Sequence, residues 1–202
     1  MNAETLLDDG RSRCAWAAGS ALEREYHDRE WGVPLHDDRA LFEFIVLEGA
    51  QAGLSWRTIL NKRENYRKAF HDFEIVRVAR MNDAALEKCL LDPGIVRNRL
   101  KVWSARANAQ AALTVIDEFG TLDAWLWRFV DDAPIRADRR QSSDVPARTE
   151  RSDAMSKAMQ KRGFGFVGST ICYAFMQATG MVDDHLTTCF RHAKARSPST
   201  RR

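Results

Sequence analysis

The sequence predicts an all-α protein. Three observations lead there. Apolar residues recur at the helical period along most of the chain, capping residues and glycines bracket those patterns, and strand-like alternation is scarce. The 202 residues suffice for one large domain or two small lobes, and 45% hydrophobic with 29% charged content is ordinary for a globular chain. No apolar run approaches the roughly 20 residues of a bilayer span. Residues 1–10 are acidic and lack a signal-peptide pattern, so a cytoplasmic protein is expected.

Taken in order, the first strong pattern is an apolar helix entered through Asp37 or Asp38, covering 41–56 with Gly53 as its natural stop. Segments 55–61, 63–70 and 75–81 read as short helices. Asn82 or Asp83 caps the next, which runs to about Leu91 before the Asp92-Pro93-Gly94 turn. A long amphipathic helix spans about 97–119 and stops at Gly120. Thr121 caps another through Phe129. The polar stretch 131–150, with Pro134 and Pro146, is a loop or lid. Ser152 caps a helix ending at Gly163, and Gly168 opens the last, ending at Gly180.

Within the first of these helices Glu48 is out of place. Its neighbours at helical spacing are Leu41, Phe44, Ile45 and Ala52, so the carboxyl points into the packed face. Glu43 falls on another side and is expected to reach water. A buried carboxylate costs several kcal/mol unless something polar meets it. Either a protein group satisfies Glu48 or a ligand does. Trp16, Tyr26, Trp31 and Trp56 lie near it in sequence. Aromatic faces, a phenol and a buried acid suit a flat, cationic ligand such as a damaged nucleobase.

Four cysteines without close pairing argue against a disulfide framework. Cys14 and His27 near the front, with His185 and Cys189 at i, i+4 spacing near the back, form a candidate Cys2His2 metal set. The same residues also fit two ordinary thiols and two satisfied imidazoles. Four protein ligands would close the coordination shell, making such a metal a clamp on the chain ends rather than a generator of hydroxide. Cys89 and Cys172 read as core thiols.

The net charge is +3, and the tail beyond Ala193 holds Lys194, Arg196, Arg201 and Arg202. Without the tail the body is not basic, so any nucleic-acid affinity must come from local donors. A glycine-rich hairpin, 163–168, offers them. Gly163, Gly165 and Gly168 give a tight turn, and Gly168-Ser169-Thr170 open a helix whose free N–H groups can cradle a phosphate. Lys157, Lys161 and Arg162 stand near enough to add charge.

These motifs resemble the DNA-3-methyladenine glycosylase I family of the helix-hairpin-helix DNA glycosylase superfamily. The likeness rests on Arg13-Cys14-Ala15-Trp16, Tyr26-His27-Asp28-Arg29-Glu30-Trp31-Gly32-Val33-Pro34, Leu47-Glu48-Gly49-Ala50-Gln51-Ala52-Gly53-Leu54-Ser55-Trp56, Lys62-Arg63-Glu64-Asn65-Tyr66, Gly94-Ile95-Val96-Arg97-Asn98-Arg99, the segment from Lys161 through Tyr173, and Asp184-His185 with Cys189. It implies a helix-hairpin-helix architecture with the termini joined by a structural Zn2+ on Cys14, His27, His185 and Cys189. Residues 1–12 are expected to be a flexible N-terminus and 13–190 the glycosylase domain, with room for two lobes and the base pocket between them. Residues 191–202 are expected to form a disordered basic tail.

The resemblance further implies a monofunctional, monomeric DNA N-glycosylase that flips 3-methyladenine out of alkylated double-stranded DNA. Glu48 and Tyr26 would hydrogen-bond the base, Trp56 would stack on it, Trp16 and Trp31 would complete the wall, and the 163–170 hairpin would hold DNA. Related glycosylases place an aspartate in a Val-Asp-x-His context to stabilise the sugar cation. Val182-Asp183-Asp184-His185 has that look, which makes Asp183 a catalytic candidate, or else a cap or a partner of His185. Bifunctional relatives carry a lysine near Ser169 or Thr170, and this chain has none there. The family often has a second tyrosine four residues before Tyr26, where this chain has Leu22, a substitution expected to lower base affinity.

Overall fold

The computed structural model describes residues 9–192. The expected flexible N-terminus and basic tail therefore lie largely outside the described residues. Arg191 and His192, assigned to the tail by the sequence pattern, pack on the body. His192 is buried and its N–H donates to Cys189 O.

The helices among the described residues are α1 (Ala21–Arg29), α2 (Asp38–Gln51), α3 (Trp56–Ala69), α4 (Ile75–Ala79), α5 (Asp83–Cys89), α6 (Arg99–Phe119), α7 (Leu122–Trp127), α8 (Glu150–Lys161) and α9 (Ser169–Ala178). Their starts follow capping chemistry. Asp37, Ser55, Asn82, Asn98 and Thr121 each accept a backbone N–H from the first turn they open. The expected Ser152 cap is displaced by one turn. Thr149 is the N-cap, and Ser152 returns the bond to its backbone N–H in a reciprocal capping box.

The centre of the fold is α2, whose residues 41–50 are all buried, and α3, α6, α7 and α9 pack around it. The long α6 presents Ala105, Ala109 and Ala112, small residues that allow close approach. Burial on every side explains a second departure. Glu43 does not reach water: it is 8% exposed and accepts from Arg63 Nε at 2.6 Å and Arg67 Nε at 3.0 Å. A buried acid held by two guanidiniums from α3 is satisfied where Glu48 is not.

Segments 55–61 and 63–70 form the single helix α3, because nothing at Asn61 or Lys62 breaks it. A short parallel pair, β1 (Ile135–Arg136) with β2 (Val182–Asp183), escapes a reading based on alternation because each strand has only two residues. The pair and an Arg139–Leu186 bridge tether the 131–149 loop to the segment holding His185. No described helix is long and apolar enough to cross a membrane.

Candidate active site

One cavity of about 370 Å³ collects most of the residues singled out by sequence. Its wall includes Trp16, Tyr26, Trp31, Glu48 and Trp56. α1 and the turn before it bring Tyr26 and Trp16, α2 brings Glu48, and Trp56 is the first residue of α3. The Tyr26 and Trp56 rings lie 5.3 Å apart and those of Trp16 and Trp31 5.2 Å apart. The enclosure is within the range of small-molecule sites and large enough for a purine.

Glu48 is 3% exposed, and its Oε2 has no hydrogen-bond partner among the described residues. Burial pushes its carboxyl up to about 8. The buried Nε1 of Trp56 is likewise without an acceptor. Burial, and then the charge of Glu48, also raise Tyr26 well above the ordinary phenol range. The wall therefore offers an acid, an indole donor and a neutral phenol.

The four candidate metal ligands come together at one edge of this cavity, and Cys14 is itself part of the wall. All four are buried and their ligating atoms lie within 4.8 Å of one another. Cys189 Sγ is 3.4 Å from His27 Nε2 and 3.6 Å from His185 Nδ1. The ring atoms facing away are engaged: His27 Nδ1 donates to Asp28 at 2.8 Å and His185 Nε2 to Trp31 O at 3.2 Å. Those bonds leave the inward nitrogens as lone pairs, as a metal requires. Arg13 holds Asp28 through Nε and Nη2. Gly32, at φ +72°, makes room, since a Cβ there would sit 3.0 Å from His185 Nε2. The donor set fits a four-coordinate ion.

Residues not foreseen complete the wall: Glu23, Gln51, Ala174, Gln177, Asp184, Leu186, and Ser142 with Val145 from the 131–149 loop. Their polarity and scatter along the chain gave no periodic signal. Two residues singled out by sequence lie outside the wall. Leu22 is 38% exposed and does not line the cavity, whereas its neighbour Glu23 does. Asp183 is also outside it. Its Oδ1 accepts from His185 N at 3.3 Å, whereas Asp184 lines the cavity and accepts from Tyr173, Gln177 and Arg139. Adjacent residues of an extended segment face opposite ways, which separates the two acids.

The hairpin joins α8 to α9. Gly163 takes φ +88°, and Gly165 exchanges two hydrogen bonds with the Asn108 amide on α6. Gly168 and Thr170 are exposed, and Gly168 supplies no side chain to cap the first N–H groups of α9. Ser169 Oγ turns instead to Ser152 and Asp153. Arg162 is not free to add charge here, because it forms a two-point ion pair with Glu118 and covers Phe119. Lys157 and Lys161 stay exposed.

The profile of the methyladenine glycosylase family matches residues 16–192. The chain belongs to that family. DNA-3-methyladenine glycosylase 1 of Escherichia coli K12 is 48% identical over 177 residues, covering 88% of this chain and 95% of the relative. The DNA-3-methyladenine glycosylase of Haemophilus influenzae Rd is 46% identical, with 88% and 96% covered. A crystal structure of 3-methyladenine DNA glycosylase I superposes with TM-score 0.87 at 48% identity, over 90% of this chain and all of the other. A Staphylococcus aureus enzyme whose 3-methyladenine recognition has been solved gives 0.85 at 35% identity, over 88% and 94%. The matched span includes Tyr26, Glu48, Trp56, the hairpin and three of the four cluster residues, with Cys14 just before it.

Proposed function

We propose that the chain is a monofunctional DNA glycosylase that excises 3-methyladenine, and related methylpurines, from alkylated duplex DNA, opening base excision repair. The observation that carries this reading is the unmet Glu48 carboxyl inside an aromatic enclosure. Relatives of the family are named for this activity, and one is described with 3-methyladenine bound.

Methylation at N3 makes the adenine cationic and its glycosidic bond labile. The base departs neutral, so no strong general acid is required. Flipping costs a few kcal/mol, least for weakly paired lesions. Glu48 accepts from the exocyclic amine and, once ionised, attracts the positive ring. Trp56 stacks, adding about 1–2 kcal/mol of cation–π attraction when water is excluded; Tyr26, Trp16 and Trp31 close the enclosure. Water attacks the sugar carbon as the bond breaks. Among the described residues no lysine lines the cavity, which supports base release without a Schiff base or strand cleavage. The uncapped start of α9 at Gly168, Ser169 and Thr170 suits a DNA phosphate, the grip expected of a helix-hairpin-helix element.

Cys14, His27, His185 and Cys189 would hold Zn2+, which supplies a structural cross-link between the chain ends and no open position for substrate. A cytoplasmic location is part of the same reading. The test is release of free 3-methyladenine from methylated duplex. The wild type should liberate it without nicking the strand, and a borohydride-trapped protein–DNA adduct would contradict the monofunctional assignment.

A further inference from the structure

A second carboxylate is built into the cavity wall. Glu23 lies one helical turn before Tyr26 on the buried side of α1 and is 8% exposed. Its Oε2 accepts from Ser20 Oγ at 3.0 Å and from Arg57 Nε at 2.9 Å. Oε1 has no hydrogen-bond donor among the described residues. Arg57 directly follows Trp56, so both walls of the cavity contribute to the arrangement. The guanidinium passes over Gly19. A Cβ there would fall 1.9 Å from Arg57 Nη2 and 2.4 Å from Glu23 Oε2, so no larger residue fits without dislodging the pair.

Gly19, Ser20 and Arg57 thus hold one acid where a ligand arrives, and leave an oxygen of it uncommitted. The Arg57 side chain is 49% exposed, so the ion pair itself adds little to folding. The guanidinium instead offsets the cost of keeping charge at an enclosed wall. We infer that Glu23 is a second base-recognition carboxylate, held by Arg57 as a positioning residue, which selects purines presenting a cationic or amino edge to this side of the cavity. The inference rests on the reading that the cavity receives a methylated purine. It assigns to Glu23 a share of the discrimination otherwise carried by Glu48 alone.

The experiment measures three quantities on wild type, Glu23→Gln, Arg57→Ala, Arg57→Lys and Glu48→Gln. They are affinity for free 3-methyladenine by tryptophan fluorescence, affinity for unmethylated adenine, and single-turnover excision from methylated duplex. Glu23→Gln keeps shape and removes charge. It should slow excision from methylated duplex, where the ring is still cationic, about tenfold, the size of one charge-assisted hydrogen bond. Affinity for the two neutral free bases should change much less, so the ratio of excision to free-base affinity falls. Arg57→Ala should reproduce part of that loss and Arg57→Lys should restore some of it. If Glu23→Gln folds with an unchanged ratio, Glu23 is only a structural partner of Arg57 and the inference is wrong. If both substitutions lower the melting temperature with no change in the ratio, the same conclusion holds. Failure of the wild type to bind or excise 3-methyladenine would instead overturn the function itself.

Discussion

Glu48 and Trp56 face one cavity with unmet capacity: among the described residues the Oε2 of one accepts from no group, and the Nε1–H of the other donates to none. Two such atoms at one site are costly in a folded chain, at about 1–3 kcal/mol for each unmade bond. A ligand that donates to Glu48 removes the first of these costs, and the exocyclic amine of an adenine can do so while its ring stacks on Trp56.

Replacing Glu48 with Gln keeps the volume and an acceptor but removes the charge. Excision of 3-methyladenine should fall by about ten- to thirtyfold, corresponding to roughly 1.5–2 kcal/mol of charge assistance. Single-turnover base release from methylated duplex measures it. Wild-type rates in the variant would remove Glu48 from recognition.

The position of the Glu48 titration near 8 gives two pH effects of opposite sign. Binding of a cationic base favours the ionised acid, so affinity should rise with pH up to about 8 and then level off, with a proton released on binding below that point. Folding behaves the other way. Between the ordinary 4.5 and about 8 the folded chain holds a proton that the unfolded chain has lost, so this group's contribution to stability declines as pH rises through that window. Glu48→Gln should therefore gain in melting temperature over wild type at pH 9 relative to pH 6. An identical difference at both pH values would mean that Glu48 is ionised throughout.

Thr170 is exposed in the first turn of α9, at the proposed phosphate grip. Thr170→Glu places an acid beside the DNA backbone. Duplex affinity should drop severalfold, with a salt dependence shallower than wild type, while affinity for the free base stays the same. Parallel losses in both measurements would point to a folding defect.

Cys189 closes the four-residue cluster against both histidines. Purified wild type should contain about one equivalent of zinc by elemental analysis. Cys189→Ser should lose most of it and melt about 10 °C lower, as the chain ends lose their cross-link. Wild-type stability without metal would show that the cluster needs no ion.

Asp183 offers a control. Its carboxylate is used on the His185 backbone and lies outside the cavity wall. Asp183→Asn keeps the accepting Oδ1, and excision rates should stay within about twofold of wild type. A hundredfold fall would restore it to the chemistry.

Much of this is legible in the sequence. The α2 pattern exposed Glu48 as an anomaly because helical periodicity fixes which residues share a face. The i, i+4 spacing of His185 and Cys189 survives as geometry, although an extended turn rather than a helix delivers it. The cap at Thr121 is legible, and the pairs Asp37–Asp38 and Asn82–Asp83 each hold a cap in their first member, because short polar side chains bond locally. The misreadings share one cause, which is tertiary context. α1 was missed because six of its nine residues are charged or histidine, leaving almost no apolar stripe. Glu43 was placed in water because its partners, Arg63 and Arg67, lie about twenty residues away. Glu23 was passed over beside Leu22 for the same reason: its value lies in Arg57, from another helix.

The joining of the front of the chain to its back has a topological outcome. Besides the cluster itself, Phe190 N–H donates to Ser12 O at 2.9 Å, so the two edges of the folded body run side by side. The described body is thus almost a ring that opens there. A short linker in place of the segments outside residues 9–192 would seal it, and a new opening at the exposed turn around Gly120, far along the chain from every described cavity residue, would give a circular permutant with the same interior.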